Sequence, residues 1–192
     1  MFDAQYVYQA YWATQRIIKS VSSGFHLDIS SHIPFVAQLS AHLPVIQMEF
    51  NPPLVELPSL KRVSGSLVDL PFRDESILSL SCLHVIEHVG LGRYGDPVNT
   101  NGCWKALREI QRVMARGGQC FLSIPVGQQS IYFNAGYVFR FSDIINVLGR
   151  LDLLEFSLVD EKGKLKDFDS VQQAAETVHA LGLFHFKKPI NR

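Results

Sequence analysis

The sequence has 192 residues, and its 18 basic and 18 acidic side chains give a formal net charge of zero. Balanced charge argues against nucleic acid or anionic membrane as a partner, because both bind clustered positive charge. No apolar run approaches the roughly 20 residues that span a bilayer. A hydrophobic content of 47% at this length predicts a single domain over 1–192 with a sizeable core.

The cysteines point to a reducing compartment. There are three of them, Cys82, Cys103 and Cys120, and two lie in predicted core strands. We therefore expect free buried thiols rather than disulfides. The first residues show neither the basic cluster nor the apolar segment of a secretory signal. Both features predict a cytoplasmic protein.

The first part of the chain predicts helices and strands in alternation. Apolar residues at near-helical intervals predict a leading helix that covers one face of a sheet. Short apolar runs bounded by turn residues predict strands, and a proline just inside a segment that follows a serine predicts a helix N-terminus. The predicted order is helix 4–20, strand 25–29, helix 33–39, strand 45–50 and an edge strand 60–64.

The rest of the chain predicts a crossover and a two-strand tail. Strand 77–83, an amphipathic helix 104–115 ended by Gly117 and Gly118, and strand 119–124 stopped at Pro125 form a right-handed unit of a parallel sheet. After an irregular segment we predict helix 142–148, strand 153–160, helix 170–181 and strand 182–188. This alternation predicts an α/β protein: a three-layer, doubly wound, mostly parallel sheet with 77–83 central and the last strand antiparallel, at or near an edge.

Titratable residues follow the predicted central strand, at the edge where such sheets bind ligands. His84 and His88 are four residues apart, with Glu87 beside them. The order differs from that of zinc proteases and the motif contains no third ligand, so no metal is predicted. Histidine is a base near neutral pH, and we predict His84 to be catalytic. The alternative is a structural histidine with satisfied hydrogen bonds.

The loop 90–97 is the second candidate region, since loops at a ligand edge often carry function. Tyr94 is predicted to act in catalysis or to stack on the substrate, and Arg93 to bind an anionic substrate group. Asn134, after the fifth strand, is predicted to line the same opening. The alternative is a self-packed loop in which Arg93 pairs with Asp96.

The order of these motifs resembles the class I S-adenosylmethionine-dependent methyltransferases. The matching pieces are Leu27-Asp28-Ile29 in the first strand, Glu49 at the end of the second, Gly-Ser-Leu-Val-Asp-Leu-Pro-Phe at 65–72 and His-Val-Ile-Glu-His at 84–88. The resemblance implies a Rossmann-like methyltransferase fold that binds S-adenosylmethionine, with Glu49 on the ribose hydroxyls. The implied cofactor contacts are Asp28, Ser30, Glu49, Ser66, Leu67 and Leu83.

Two segments depart from that pattern. Ser30-Ser31-His32 stands where the family has glycines, and we expect these side chains to crowd the approach of the cofactor. Ser66 replaces an aspartate that accepts a bond from the adenine amino group. More narrowly, residues 83–97, 123–127 and 133–135 are similar to an uncharacterised methyltransferase-like family found in bacteria and nematodes.

The resemblance implies an S-adenosylmethionine-dependent methyltransferase-like protein that acts on a small molecule or sugar. Two alternatives stay open. One is a non-catalytic methyltransferase-fold module for binding or assembly, and the other is a protein that binds a nucleotide or nucleotide sugar. The lost glycines favour the module, whereas the acidic strand ends favour the enzyme.

Overall fold

The computed structural model describes residues 3–93, 95–132, 136–168 and 179–191. Its helices are α1 (Ala4–Ser20), α2 (Ile33–Ser40), α3 (Gly102–Val113) and α4 (Phe141–Val147), with a short 3₁₀ turn at Ile86–His88. Its strands are β1 (His26–Ile29), β2 (Val45–Glu49), β3 (Leu60–Ser64), β4 (Ile77–Leu83), β5 (Met114–Gly127), β6 (Ser130–Tyr132), β7 (Gly136–Val138), β8 (Asp152–Val159), β9 (Leu165–Phe168) and β10 (His179–Lys187).

Eight strands form one sheet in the order β3-β2-β1-β4-β5-β10-β8-β9, and β6 pairs with β7 in a separate hairpin. The five strands from β3 to β5 in this order are parallel to one another. β10 is antiparallel to both β5 and β8, and β9 is antiparallel to β8 at the edge. This confirms the predicted doubly wound, mostly parallel sheet with β4 central and an antiparallel last strand. β10 lies between β5 and β8, however, and the edge is formed by β9, a strand that was not predicted.

Helices cover both faces of the sheet, which makes three layers. On one face, Trp12 of α1 and Leu39 of α2 pack with Phe121 of β5. On the other face, α3 and α4 both pack against β4 and β5. The carboxylate of Asp3 accepts a hydrogen bond from the backbone N–H of Gln5 at 3.0 Å and caps α1, so this helix begins where the sequence predicts.

The crossover differs from the prediction at Gly117 and Gly118. The helix ends at Val113, and the glycines lie inside β5, at a shift of its register against β4. Gly117 has φ 76° and donates to the carbonyl of Lys188 at 2.8 Å. A side chain on Gly118 would lie 2.8 Å from a backbone oxygen. The pair therefore permits a bulge where two strands meet, instead of ending the helix.

Two other boundaries were wrong. β5 continues through Pro125 to Gly127, because β10 pairs with it over 119–127 and the Pro125 carbonyl accepts from the N–H of Phe139. Residues 179–181, the end of the predicted helix 170–181, belong to β10; the rest of that helix lies outside the described residues.

Two further properties bear on function. The cysteines at 82, 103 and 120 are all free and buried, as predicted. Within the described ranges, no helix is both long and apolar enough to cross a membrane.

Candidate functional site

The turn after β1 keeps an unusual backbone shape without glycine. Ser30 has φ 55°, in the left-handed region that side chains disfavour by roughly 1 kcal/mol or more. Its backbone N–H and its hydroxyl both donate to the carbonyl of Met48, at 2.9 and 3.3 Å. These bonds to β2 hold the serine in a conformation that glycine would adopt freely.

The next residue, Ser31, turns its side chain into the protein. Its Oγ accepts a hydrogen bond from the N–H of Leu83 at 3.0 Å, and its carbonyl accepts from Nε2 of Gln47 at 2.9 Å. Only 3% of Ser31 is exposed. The expectation that this side chain crowds the site is therefore wrong, because Ser31 instead ties the turn to the end of β4. His32 is exposed.

A buried chain of hydrogen bonds, the His26–Asp28 network (His26, Asp28, Ser31, Ser79 and Ser81), joins β1 to β4. Asp28 accepts from the N–H of Ser31 at 3.0 Å and from the hydroxyl of Ser81 at 2.5 Å. Since Ser81 uses its proton on Asp28, Nε2 of His26 donates to Ser81 Oγ at 2.8 Å, and Nδ1 accepts from Ser79 at 2.7 Å. Each polar side-chain atom in the chain from Ser79 to Asp28 has a partner.

Burial acts on both ionisable members of this network. It lowers the pKa of His26 to about 3, so the imidazole is neutral at pH 7. It raises the pKa of Asp28 to about 6, against the hydrogen bonds from Ser31 and Ser81 that favour the carboxylate. Asp28 has no exposed area. It therefore reaches a ligand only through the turn that it holds.

Glu49 ends β2 beside the Ser30 turn. Its carboxyl group is partly buried, and burial raises its pKa, opposed in part by the nearby Ser30 hydroxyl and Phe50 backbone. Its carbonyl accepts from the N–H of Gly65 at 3.1 Å. A side chain on Gly65 would lie 2.8 Å from the sulfur of Met48, so glycine lets the segment after β3 pack closely here.

That segment contains the two predicted adenine contacts. Ser66 is partly buried, and its Oγ accepts from the N–H of Val68 at 3.4 Å. Leu67 is 8% exposed and packs in the core with Met48. Ser66 and Leu67 thus follow β3, whereas Leu83 ends β4 and is joined to Ser31.

Beyond β4 lies the His84–Glu87 cluster, which we define as His84, Glu87 and His88. Oε1 of Glu87 lies 3.1 Å from Nε2 of His84 and 3.8 Å from Nε2 of His88. The two imidazoles are nearly parallel, with centroids 6.4 Å apart. His84 has φ 60° and its N–H donates to the carbonyl of Ser123, so the two histidines face one carboxyl group from a turn.

Glu87 is 1% exposed, and neither of its oxygens has an aligned hydrogen bond with the described residues. Nδ1 of His84 is likewise buried and unpaired among them. Burial raises the pKa of Glu87 to about 8 and lowers that of His84 to about 4. The short separation from His84 is thus a contact between two groups that burial keeps neutral.

The leading helix reaches this edge as well. The ring of Tyr6 stacks on His84 with centroids 5.2 Å apart and 13° between the planes, and it lies 5.2 Å from the ring of His32. Sequence reasoning treated α1 only as a cover and missed Tyr6, and it left Glu87 out of the site. A glutamate that follows an apolar strand and precedes a histidine was the available signal for Glu87.

The loop after the cluster is partly described. Arg93 is exposed and its guanidinium lies 3.5 Å from Nδ1 of His88, while Asp96 accepts from the N–H of Gly90 at 2.8 Å. Gly136 closes over the cluster, since a side chain there would lie 3.0 Å from Glu87. Tyr94 and Asn134 lie outside the described residues. Among the described residues, no group of three or more His, Cys, Asp or Glu side chains is arranged to hold a metal ion.

Two protein families match the sequence. Residues 27–122 match the family described as "Methyltransferase domain", which is half of the chain. Residues 75–181 match "Caenorhabditis protein of unknown function, DUF268", which is more than half. The chain belongs to both families. No curated protein sequence matches it.

Solved structures share the methyltransferase fold. The [4+2]-cyclase SpnF has TM-score 0.66 and 9% identity, over 94% of this chain and 81% of that one. Geranyl diphosphate methyltransferase, solved in complex with S-adenosylmethionine, has TM-score 0.66 and 11% identity, over 94% and 84%. A chain from the complex of a Haloferax volcanii methyltransferase with the Trm112 methyltransferase activator has TM-score 0.66 and 13% identity, over 98% and 91%. At these identities the likeness shows the fold alone.

The methyltransferase fold implies S-adenosylmethionine, and the residues around the β1 turn fit its nucleoside end. Ser30 keeps the left-handed turn, Ser31 points away from the opening, and the Glu49 carboxyl group is partly exposed at the adjacent strand end. Glu49 would hold the ribose hydroxyls, with Ser66 and Leu67 on the adenine side.

Proposed function

We propose that the protein is an S-adenosylmethionine-dependent methyltransferase that acts on a small molecule. The observation that carries the proposal is the partly buried carboxyl group of Glu49 at the end of β2, beside the left-handed Ser30 turn. Desolvation of this carboxylate has a free-energy cost, and a pair of ribose hydroxyl donors would offset it. Once bound, the cofactor supplies an electrophilic methyl group.

His84 is the residue that we assign to proton removal from the acceptor. Burial keeps its imidazole neutral, so a nitrogen lone pair is available to take a proton. Oε1 of Glu87 lies 3.1 Å from Nε2, so the positive charge that His84 gains with this proton would be stabilised once Glu87 has released its own proton to the solvent. The roles predicted for Tyr94 and Asn134 stay predictions.

We place the protein in the cytoplasm and expect a small-molecule substrate as its partner. The free, buried thiols of the three cysteines suit a reducing compartment. The zero net charge argues against a nucleic-acid substrate, which would need clustered positive charge.

A second candidate is a non-catalytic binding module. The observation that favours it is the ring of Tyr6, which bridges His32 of the first turn and His84 beyond β4. If this contact persists, α1 closes the space between the two segments. The [4+2]-cyclase SpnF has the same fold and is named for a reaction other than methyl transfer.

Calorimetric titration with S-adenosylmethionine and S-adenosylhomocysteine, alongside nucleotide sugars, separates these candidates. We expect both adenosyl compounds to bind, and Glu49→Gln to weaken them about tenfold to a hundredfold, because charge-assisted bonds to the ribose are lost. The exposed Glu56 supplies the control, Glu56→Gln, which should bind as the wild type does. Binding of neither compound would favour the non-catalytic module. Selective binding of a nucleotide sugar would favour the alternative of a nucleotide-sugar-binding protein. Unchanged affinity in a folded Glu49→Gln variant would place the ribose elsewhere.

A further inference from the structure

A cavity of about 530 Å³ opens between α1 and α2, beside the carboxyl ends of β1 and β4. Ser31 and Leu83, which tie those two strand ends together, form part of its wall. The volume lies within the range of small-molecule sites. This cavity adjoins the proposed cofactor site but lies on the α1 side of it.

The wall of the cavity is mostly apolar and aromatic, with a few polar side chains. Rings come from Tyr6, Tyr11, His32 and Phe35, and amides from Gln9, Gln15 and Gln38. Among the described residues, no Asp, Glu, Lys or Arg side chain lines it. A charged ligand would lose hydration there, and the imidazole of His32 is the one basic group among the described lining residues that could face it. The amino-acid end of the cofactor carries both charges and is therefore a poor occupant.

Gln9 supplies a hydrogen-bond donor inside this cavity. Only 2% of the residue is exposed, and its Oε1 accepts from the hydroxyl of Ser123 at 2.5 Å. That bond orients the amide, whose nitrogen forms no hydrogen bond with the residues that the structure describes. This nitrogen is not among the buried polar atoms that lack a partner, so it is accessible from the cavity, where an oxygen acceptor on a ligand would replace water as its partner.

The donor lies close to the proposed base. Ser123, which orients Gln9, also accepts a backbone hydrogen bond from His84 at 2.9 Å. Tyr6, one helical turn before Gln9, stacks on the His84 ring. A molecule bound to Gln9 therefore lies next to the group that we assign to proton removal.

We propose that this cavity is the acceptor-substrate site and that it takes an uncharged molecule with a planar ring and an oxygen that accepts a hydrogen bond from Gln9. The substrate role rests on the proposed function, whereas the preference for an uncharged ring does not. Arg93 is absent from the lining residues, so an anionic substrate group is not needed at this site.

Three probes with the same ring test the preference: benzamide is uncharged, benzoate is anionic and benzylamine is cationic. Each is titrated into the ¹⁵N-labelled chain while backbone amide shifts are recorded. We expect benzamide to shift the amides of Gln9, Ser31 and Gln38, and the two ions to bind at least tenfold more weakly. Equal affinities, or shifts confined to other residues, would overturn the proposal.

Variants locate the contact. Gln9→Leu should weaken benzamide about tenfold, since it removes one hydrogen bond at similar volume, whereas Gln5→Leu on the same helix should leave the affinity unchanged. Gln38 is exposed at the rim, so Gln38→Lys should fold and improve binding of benzoate. If neither Gln9→Leu nor Gln38→Lys alters probe binding, the cavity is not the binding site.

Repeating the benzamide titration with S-adenosylhomocysteine present separates the two proposals. Simultaneous binding supports the cavity as an acceptor site, and competition would assign it to the cofactor and overturn the proposal. Binding of S-adenosylhomocysteine without any benzamide shift removes the cavity proposal alone. Benzamide binding at the cavity without any adenosyl binding removes the proposed function and supports a site for uncharged ligands.

Discussion

Two groups of buried polar residues flank the end of β4, and they differ in how well their hydrogen bonds are satisfied. In the His26–Asp28 network both carboxylate oxygens and both imidazole nitrogens have partners. In the His84–Glu87 cluster both oxygens of Glu87 and Nδ1 of His84 lack them among the described residues. A satisfied buried network holds a structure together, whereas unpaired polar atoms mark a place where a ligand or a proton compensates.

The two buried carboxyl groups show the electrostatic effect of this difference. Burial raises the pKa of Asp28 only to about 6, because hydrogen bonds from Ser31 and Ser81 favour the carboxylate and oppose this rise. Burial raises the pKa of Glu87 to about 8, and only its own backbone N–H and the charge of Arg93 oppose this rise. At pH 7 the network therefore contains an ionised carboxylate, whereas the cluster contains a protonated one.

The largest expected effect comes from breaking the satisfied network. Asp28→Ala leaves the Ser31 N–H and the Ser81 hydroxyl without an acceptor, and we expect a loss of about 3–5 kcal/mol in the free energy of unfolding. Urea unfolding measures it, with Asp28→Asn as a milder variant that keeps one acceptor oxygen. The exposed Asp69 provides the control Asp69→Ala, which should change little. Equal stability of the Asp28→Ala and Asp69→Ala proteins would refute a structural role for the network.

Neighbouring serines sharpen the comparison at the turn. Ser31→Gly should cost about 1–3 kcal/mol of unfolding free energy, because the buried N–H of Leu83 loses its acceptor. Ser30→Gly should range from no change to a gain of about 1 kcal/mol, since relief of the left-handed strain is offset by the backbone entropy that glycine loses on folding. Thermal unfolding of both variants checks that Ser31→Gly is less stable than Ser30→Gly. Stabilisation by Ser31→Gly would show that its side chain crowds the turn after all.

The remaining prediction concerns the pH dependence of the cluster. The folded pKa of Glu87, about 8, exceeds the ordinary value of 4.5. The folded state thus holds a proton that the unfolded state has released, and Glu87's contribution to stability falls as pH rises from about 4.5 through 8. Between pH 6.5 and 8 this loss is roughly 1.5 kcal/mol.

Glu87→Gln should remove that loss. Histidines whose pKa is lowered by burial act in the opposite direction, so the quantity to compare is the difference between wild type and variant at each pH. Urea unfolding at several pH values gives it, with Glu56→Gln as the exposed control. A difference that stays constant over this range would mean that Glu87 is already ionised in the folded protein.

Periodicity and turn residues predicted the helices and strands in which the local sequence pattern and the tertiary packing favour the same secondary structure. The bounds of α1, β3 and β4 coincide with the predicted 4–20, 60–64 and 77–83. The order of the acidic strand end at Glu49, the segment 65–72 and His84 was enough to predict the methyltransferase fold. These features depend on short segments of the chain and on their order, so they can be predicted without the structure.

Tertiary structure decided what depends on contacts between distant segments. Gly117 follows a helical pattern, yet pairing with Lys188 places it in a bulge of β5. Ser31 was expected to obstruct the site, and only the position of Leu83, more than 50 residues further along, turns its hydroxyl inward. The burial of Glu87 and the approach of Gln9 to Ser123 depend in the same way on strands and helices packing together. Hydrogen bonding and desolvation are properties of the folded surroundings, which no local pattern in the sequence specifies.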